Sequence, residues 1–184
     1  LYHSAMKNVA NVRAELKIKT IFNILGPLIN PAGAKFQLIG VYSKDWLVPI
    51  ANCLKELSVS KTWIVHGEDG LDEITTTGKT YVIEINRKKI KKFIITPSQY
   101  GLKKSKMRNL KGNGASYNAK AIKNLFSNKN VNEDYKNIVL LNTAACLVIV
   151  DKCKNIKEGI KLAKHALDSG LAMEKLDQLI KVTQ

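Results

Sequence analysis

The chain is short of acidic residues, since its 184 residues include 15 Asp and Glu against 30 Lys and Arg. A formal net charge of +15 is compatible with a nucleic acid, an anionic membrane or an anionic substrate as partner. The densest basic stretches are Arg87 to Lys92 and Lys103 to Lys111. Both lack the interleaved aromatic residues that a stacking surface for single strands needs. We therefore interpret the charge as a solvated, lysine-rich surface.

Cysteine is scarce as well, and its positions do not match the common metal-binding patterns. Cys53, Cys146 and Cys153 form no CxxC pair and have no spacing typical of a metal site. Each lies in an apolar or helical context, so we predict buried free thiols in the reducing environment of the cytoplasm.

No apolar run is long enough to cross a membrane. The longest, Ile138 to Val150, is interrupted by Asn142 and Thr143, whereas a membrane-spanning helix needs about 20 predominantly apolar residues. The first residues also lack the pattern of a signal peptide. We therefore expect a soluble, cytoplasmic protein without a membrane partner.

Apolar runs and helical periodicity alternate along the chain in a way that predicts an α/β fold. Two short apolar strands, Phe36 to Tyr42 and Thr62 to Val65, flank an amphipathic helix from Lys44 to Leu57. This βαβ unit predicts parallel pairing and a right-handed crossover. The alternating runs Thr80 to Ile85 and Ile90 to Ile95 predict a hairpin.

The remaining segments are mostly helical. We predict helices over residues 4–16, 20–25, 118–126, 133–153, 156–169 and 171–182, the second of which stops at Gly26 and Pro27. The fold class is therefore α/β, with a central, mostly parallel sheet flanked by helices and with part of a helical domain. Because so few strands serve so many helices, and because Leu1 is not a methionine, we expect the natural protein to continue upstream.

The segment Val65 to Ile74 combines a strand end, two glycines and the adjacent carboxylates of Asp72 and Glu73. Loops at the carboxyl ends of strands in α/β sheets are where such folds place ligands. Neighbouring carboxylates can converge on a hard cation, and magnesium usually takes one or two of them together with substrate phosphates. A solvated acidic turn is the alternative interpretation, because turns favour Asp and Gly for backbone reasons.

Five ordered blocks resemble the anthranilate phosphoribosyltransferase family. The blocks are Tyr2 to Arg13, Thr20 to Ala32, Gln37 to Tyr42, His66 to Ile74, and a closing pair, Leu140 to Ala145 with Leu167 to Gly170. They follow the order of the family and extend over nearly the whole chain. The resemblance implies transfer of phosphoribose from phosphoribosyl diphosphate to the amine of anthranilate, with release of diphosphate, in tryptophan biosynthesis.

The resemblance also implies roles for particular residues. Asp72 and Glu73 match an acidic pair that holds Mg²⁺ bridging to the diphosphate, where a metal stabilises the leaving charge. Arg13 matches the arginine that contacts the anthranilate carboxylate, a role that suits the guanidinium fork. His3, Gly26 and Pro27 match positions near the aromatic acceptor. Without the family, Arg13 would be a surface helix residue, His3 a loop histidine, and Gly26 with Pro27 a helix stop.

Two phosphate-binding elements of the family have no counterpart in this sequence. The glycine-rich diphosphate loop and the loop rich in lysine and serine would both precede residue 1 in family order. We therefore expect residues 1–184 to be the C-terminal part of the α/β catalytic domain, without the N-terminal helical domain. The chain alone would carry half an active site and be inactive, whereas the full-length protein would be a homodimer.

Three alternatives stay open. A nucleic-acid-binding paralogue of the same fold is favoured by the net charge of +15, although two carboxylates would repel a phosphate backbone. A pyrimidine nucleoside phosphorylase on a related fold would not need an arginine for a carboxylate. A non-catalytic domain that only binds a partner is the third.

Overall fold

The computed structural model describes residues 11, 15, 22–30, 32–57 and 59–183. The strands are β1 (Phe36–Gly40), β2 (Lys61–Gly67), β3 (Thr80–Asn86) and β4 (Lys89–Ile95). The α-helices are α1 (Phe22–Leu28), α2 (Leu47–Glu56), α3 (Met107–Leu110), α4 (Ala115–Phe126), α5 (Glu133–Ile149), α6 (Ile156–Asp168) and α7 (Leu171–Thr183), and single 3-10 turns span Lys44–Trp46 and Pro97–Tyr100. The predicted helix Ser4 to Leu16 lies largely outside the described residues.

The four described strands form one sheet in the order β1-β2-β3-β4. β1 and β2 run parallel, with Phe36 opposite Lys61 and Gly40 opposite Val65. The intervening helix α2 buries Leu47, Ile50, Ala51 and Leu54, which is the apolar face expected of a crossover helix. The predicted α/β class and the predicted parallel βαβ unit are both confirmed.

The expectation of a mostly parallel sheet is wrong for the described strands. β2 pairs antiparallel with β3, and β3 pairs antiparallel with β4. Parallel pairing needs a crossover, usually a helix, but the connection between β2 and β3, residues 68–79, contains none. The chain therefore turns back on itself at the end of β2.

The predicted hairpin of β3 and β4 is confirmed, and it closes through a two-residue turn. Asn86 lies opposite Lys89, and the residues between them, Arg87 and Lys88, have φ angles of 47° and 69°. Positive φ at both central positions is typical of the type I′ turn, whose twist matches that of the flanking strands.

Helices cover both faces of the sheet. Successive residues of a strand point to opposite faces, so Trp63 and Val65 of β2 join the core cluster that includes α5, while Ile64 joins the cluster that includes α2. A third cluster, formed by α4, α5 and α6, contains Leu125 and Leu140. The sheet is thus the middle layer between α2 and α5.

Two predicted helix ends are wrong. α1 continues through Gly26 and Pro27 to Leu28, because a proline so near the end removes a single donor and the N–H of Ile29 still bonds the carbonyl of Leu25 at 3.0 Å. α5 ends at Ile149 rather than Cys153, because Asp151 adopts a left-handed φ of 56°. The N–H groups of the last turn then bond back to helix carbonyls, as in a Schellman motif.

The prediction of three buried thiols is correct for one. All three cysteines are free, but only Cys153 is buried, and Cys53 and Cys146 are exposed. Cys53 lies beside, not on, the apolar face of α2, which explains its exposure. No helix in the described ranges has the length and apolarity needed to cross a membrane.

Candidate functional site

The loop formed by residues 68–79, called the acidic loop below, joins β2 to β3 at the carboxyl ends of β1 and β2. Its base is closed by backbone hydrogen bonds from the N–H of Gly67 to the carbonyl of Leu71 at 2.9 Å and from the N–H of Glu68 to the carbonyl of Lys79 at 2.8 Å. The carboxylate of Glu68 also accepts the N–H of Lys79 at 2.9 Å. These bonds hold the two ends of the loop together.

Asp69 organises the interior of the acidic loop. Its Oδ1 accepts the N–H of Leu71 at 3.1 Å, and its Oδ2 accepts the hydroxyls of Thr75, at 2.5 Å, and Thr77. Burial raises the pKa of Asp69, but the bonds from Thr75, Thr77 and Leu71 outweigh it and hold the pKa below its usual value. Asp69 is therefore ionised at neutral pH and shapes the loop.

Asp72 and Glu73 lie on the exposed side of the same loop. Partial burial of the Glu73 carboxyl raises its pKa, and repulsion from Asp72 and Asp69 raises it further. Within the described residues, no hydrogen bond or ion pair involves either side chain; the ion pair found there joins Lys61 to Asp151. Among the described residues, no basic group therefore pairs with the negative charge of Asp72 and Glu73.

The carboxylates of Asp72 and Glu73 suit a hard cation, but two residues do not complete its coordination. Carboxylate oxygens are the ligands that magnesium prefers, and magnesium commonly binds one or two of them plus substrate phosphates and water. In the described part of the chain, no group of three or more His, Cys, Asp or Glu residues could hold a metal by itself. Asp72 and Glu73 would thus supply the protein ligands, and other oxygens would complete the site.

The backbone of the acidic pair is fixed at both ends. The carbonyl of Asp72 lies so close to Gly40, at the end of β1, that a Cβ at position 40 would overlap it. On the other side, the amide of Asn142 on α5 bonds both the N–H of Ile74, at 3.0 Å, and its carbonyl, at 2.8 Å. The two carboxylates therefore project from a backbone held between β1 and α5.

Tyr135 of α5 lies within electrostatic reach of Glu73. Burial raises the pKa of the Tyr135 phenol, and the negative charge of Glu73 raises it further. Tyr135 also lines two neighbouring cavities of about 240 and 350 Å³ beside α4. Tyr135 was not predicted as a site residue, because nothing in its local sequence pattern distinguishes it from a core aromatic residue.

Gly26 and Pro27 lie away from the acidic pair. Pro27 lines a cavity of about 270 Å³ together with Gln37 and with residues at the end of α2. That cavity is near the amino end of β1, whereas Asp72 lies against Gly40 at its carboxyl end. The assignment of Gly26 and Pro27 to an acceptor site stays a prediction, and this placement does not support it.

Two other predicted site residues, His3 and Arg13, lie outside the described residues. His66, which the sequence places before the acidic loop, is buried, and its Nδ1 lies 2.7 Å from the carbonyl oxygen of Val41. This contact ties the ends of β1 and β2 together, so His66 has a structural role.

The fold is that of an α/β domain of the glycosyl-transferring class. The chain belongs to the glycosyl transferase family, a/b domain, whose family model matches residues 1–173.

The resemblance to one enzyme of this class is confirmed by individual relatives. The chain is 45% identical over 182 residues to the anthranilate phosphoribosyltransferase of Methylocella silvestris, covering 99% of this chain and 52% of that protein. The anthranilate phosphoribosyltransferase of Saccharomyces cerevisiae in complex with PRPP and Mg superposes with a TM-score of 0.87 at 32% identity, covering 97% of this chain and 51% of that one. The same enzyme in complex with 4-fluoroanthranilate gives a TM-score of 0.88 at 33% identity, covering 97% and 52%. The chain thus spans about half the length of the curated relatives it matches.

Proposed function

We propose that residues 1–184 are the C-terminal part of the α/β catalytic domain of an anthranilate phosphoribosyltransferase. The full protein would transfer phosphoribose from phosphoribosyl diphosphate to anthranilate, giving N-(5-phosphoribosyl)anthranilate and diphosphate in tryptophan biosynthesis. The observation that carries the proposal is the adjacent, exposed pair Asp72 and Glu73, which has no ion pair within the described residues and lies on a loop whose backbone is held between β1 and α5. A pair of this kind suits a cation that bridges to a diphosphate.

The chemistry of this transfer needs charge stabilisation and positioning more than proton transfer. Asp72 and Glu73 would hold Mg²⁺, which when bound acts as a Lewis acid toward the diphosphate. The amine of anthranilate is already a neutral nucleophile, so alignment of the two substrates can supply much of the rate enhancement. The residues of this chain therefore act by holding ligands in place.

The acceptor site is proposed on sequence grounds. Arg13 would bind the anthranilate carboxylate bidentately, and His3 would lie close to it. Gly26 and Pro27 belong to the same proposal with less support, because Pro27 lines a cavity near the other end of β1. We also propose that the full protein is a cytoplasmic homodimer without membrane or nucleic-acid partners.

The decisive experiment follows the loss of anthranilate fluorescence in the presence of phosphoribosyl diphosphate and Mg²⁺. It is run on residues 1–184 and on the natural protein that contains them, each with and without a chelator. Magnesium-dependent turnover by the longer protein alone supports the proposal and its division of the active site. Absence of turnover by both contradicts it.

A nucleic-acid-binding function is the second candidate, favoured by the net charge of +15. Non-specific binding to a phosphate backbone weakens steeply with salt, because counterions are released on binding. A titration with duplex DNA at about 50 and 200 mM salt would show a loss of affinity of about a thousandfold for six or more phosphate contacts. An absence of binding at the lower salt concentration rules this candidate out.

A further inference from the structure

Asn142 is a polar residue in an otherwise apolar part of α5. Its neighbours Leu141, Ala144 and Ala145 are fully buried, and asparagine is a poorer helix former than leucine or alanine. A half-buried asparagine at this position therefore calls for a specific explanation. Its hydrogen bonds provide one.

The side-chain amide of Asn142 bonds both backbone polar groups of one residue of the acidic loop, Ile74. Its Oδ1 accepts the N–H of Ile74 at 3.0 Å, and its Nδ2 donates to the carbonyl of Ile74 at 2.8 Å. Nδ2 also donates to the carbonyl of Ile138 at 2.9 Å, one helical turn back. This last bond fixes the orientation of the amide. An amide is the side chain that offers an acceptor and two donors at once.

Ile74 directly follows Glu73, so fixing Ile74 fixes the end of the acidic pair. The side chain of Ile74 is fully buried in the core cluster that includes Leu141, which sets the depth of the loop. The two bonds from the amide of Asn142 also prevent the backbone from rotating about the buried side chain of Ile74. At the other end, Gly40 lets the carbonyl of Asp72 settle on β1.

The carboxylates themselves have no partner that could orient them within the described residues. Their directions depend on the backbone, because neither Asp72 nor Glu73 forms an ion pair there. Mutual repulsion also tends to push them apart, since Asp72 and Asp69 both act unfavourably on Glu73. The contact of Asp72 with Gly40 and the bonds of Asn142 to Ile74 hold the backbone from which these two repelling carboxylates project.

We infer that Asn142 is a positioning residue for the proposed phosphoribosyl transfer, acting through the backbone of Ile74 to aim Asp72 and Glu73 at a divalent cation and its diphosphate. The inference rests on the proposed function for its substrate. Metal binding would then depend on α5, which packs on the opposite face of the sheet from α2. Asn142 touches neither substrate nor metal in this role.

The test uses the natural protein that contains residues 1–184, with Mn²⁺ and inorganic diphosphate as probes. Binding of Mn²⁺ is followed by electron paramagnetic resonance, and exchange of the Ile74 amide proton by NMR. Asn142→Ala removes the amide, and Asn142→Leu removes it while keeping a branched side chain with the same number of heavy atoms, so that no cavity is left. Asn137→Leu is the matched control, since Asn137 lies on the same helix and its side chain has no hydrogen bond among the described residues.

We expect both Asn142 variants to lose protection of the Ile74 amide and to bind Mn²⁺ with diphosphate about tenfold more weakly, the range found when outer-shell partners of metal ligands are removed. The KM for phosphoribosyl diphosphate should rise while the KM for anthranilate stays nearly unchanged, because the effect is confined to the metal side of the site. Asn137→Leu should change none of these. A purely structural role would lower the thermal stability of Asn142→Leu without changing Mn²⁺ affinity.

Two outcomes overturn the inference. The first is unchanged Mn²⁺ affinity in Asn142→Leu despite loss of Ile74 protection, and the second is absence of Mn²⁺ binding by the wild-type protein. Failure of the proposed function would give a different result. The wild-type protein would bind Mn²⁺ and the Asn142 variants would bind it more weakly, but the wild-type protein would consume no anthranilate. In that case the positioning role stands for a different acceptor.

Discussion

Gly40 and Asp72 touch through their backbones, with the carbonyl oxygen of Asp72 occupying the space where any larger residue at position 40 would place its Cβ. The contact joins the last residue of β1 to the first carboxylate of the acidic pair. A strand glycine at such a point is typical of a close approach by another backbone. The position of the acidic loop therefore depends on the absence of a side chain.

Gly40→Ala should displace the acidic loop. Overpacking of this kind typically costs about 1–3 kcal/mol, and the movement of Asp72 should also weaken binding of Mn²⁺ with diphosphate. Urea unfolding measures the first effect and a Mn²⁺ titration the second. Gly114→Ala is the control, because a Cβ at position 114 meets no atom within 4 Å. Wild-type affinity in Gly40→Ala would mean that the loop moves without consequence for the site.

Asp69→Asn should destabilise the fold at neutral pH. The depressed pKa of Asp69, held down by bonds from Thr75 and Thr77 against the effect of burial, means that its ionised form stabilises the native state. Charge-assisted hydrogen bonds contribute about 1.5–3 kcal/mol, so the variant should lose free energy of unfolding of about that size.

The pH dependence of this effect has a defined sign. A carboxyl group with a folded-state pKa below its unfolded value, here 3.8, stabilises the fold above that value and loses this contribution as the pH falls through the folded pKa. The difference between wild type and Asp69→Asn should therefore be full at pH 7 and shrink in strong acid. Urea unfolding at both pH values measures it, and a constant difference would contradict the assigned network.

The acidic loop was predictable in outline, because a strand end, glycines and adjacent carboxylates all lie within Val65 to Ile74. Its supports were not. The contact of Asp72 with Gly40 and the bonds of Asn142 to Ile74 join residues far apart in sequence, and local patterns carry no information about such pairs. Asn142 stood in the sequence only as an interruption of an apolar run.

In the fold, too, features formed by adjacent segments were predictable and features that depend on distant or atypical residues were not. Periodicity predicted the βαβ unit and the hairpin because each follows from adjacent segments. The antiparallel entry into β3 was missed, since it depends on how residues 68–79 return to the sheet. The end of α5 was missed because the left-handed conformation falls on Asp151, not on a glycine that would have marked it.

Arg13→Ala should impair use of anthranilate more than use of phosphoribosyl diphosphate. If the guanidinium binds the carboxylate of anthranilate, its loss removes a charge-assisted hydrogen bond worth about 1.5–3 kcal/mol, which raises the KM for anthranilate about tenfold or more. Steady-state kinetics of the natural protein, varying each substrate in turn, measures the split. Equal effects on both substrates would remove Arg13 from the acceptor site.

Glu73→Gln should have opposite effects on stability and on metal binding. The pKa of Glu73 is raised by partial burial and then by repulsion from Asp72 and Asp69, so its ionised form opposes folding while no cation is bound. A raised folded-state pKa means that the native state favours the protonated form, an advantage present at low pH and lost as the pH rises through the folded pKa. The neutral glutamine should therefore raise the Tm of the metal-free protein at pH 7, and the gain should disappear below the usual carboxyl pKa of 4.5.

Glu73→Gln also removes one of the two proposed metal ligands, so Mn²⁺ affinity in the presence of diphosphate should fall about tenfold or more. The double variant, Asp72→Asn with Glu73→Gln, should abolish the metal dependence of diphosphate binding. Asp177→Asn on α7 is the control for loss of an exposed carboxylate. A higher Tm together with weaker Mn²⁺ binding would show that the charge of Glu73 destabilises the metal-free fold but is needed to bind the cation. A lower Tm with unchanged Mn²⁺ binding would instead make Glu73 an ordinary structural residue of the loop.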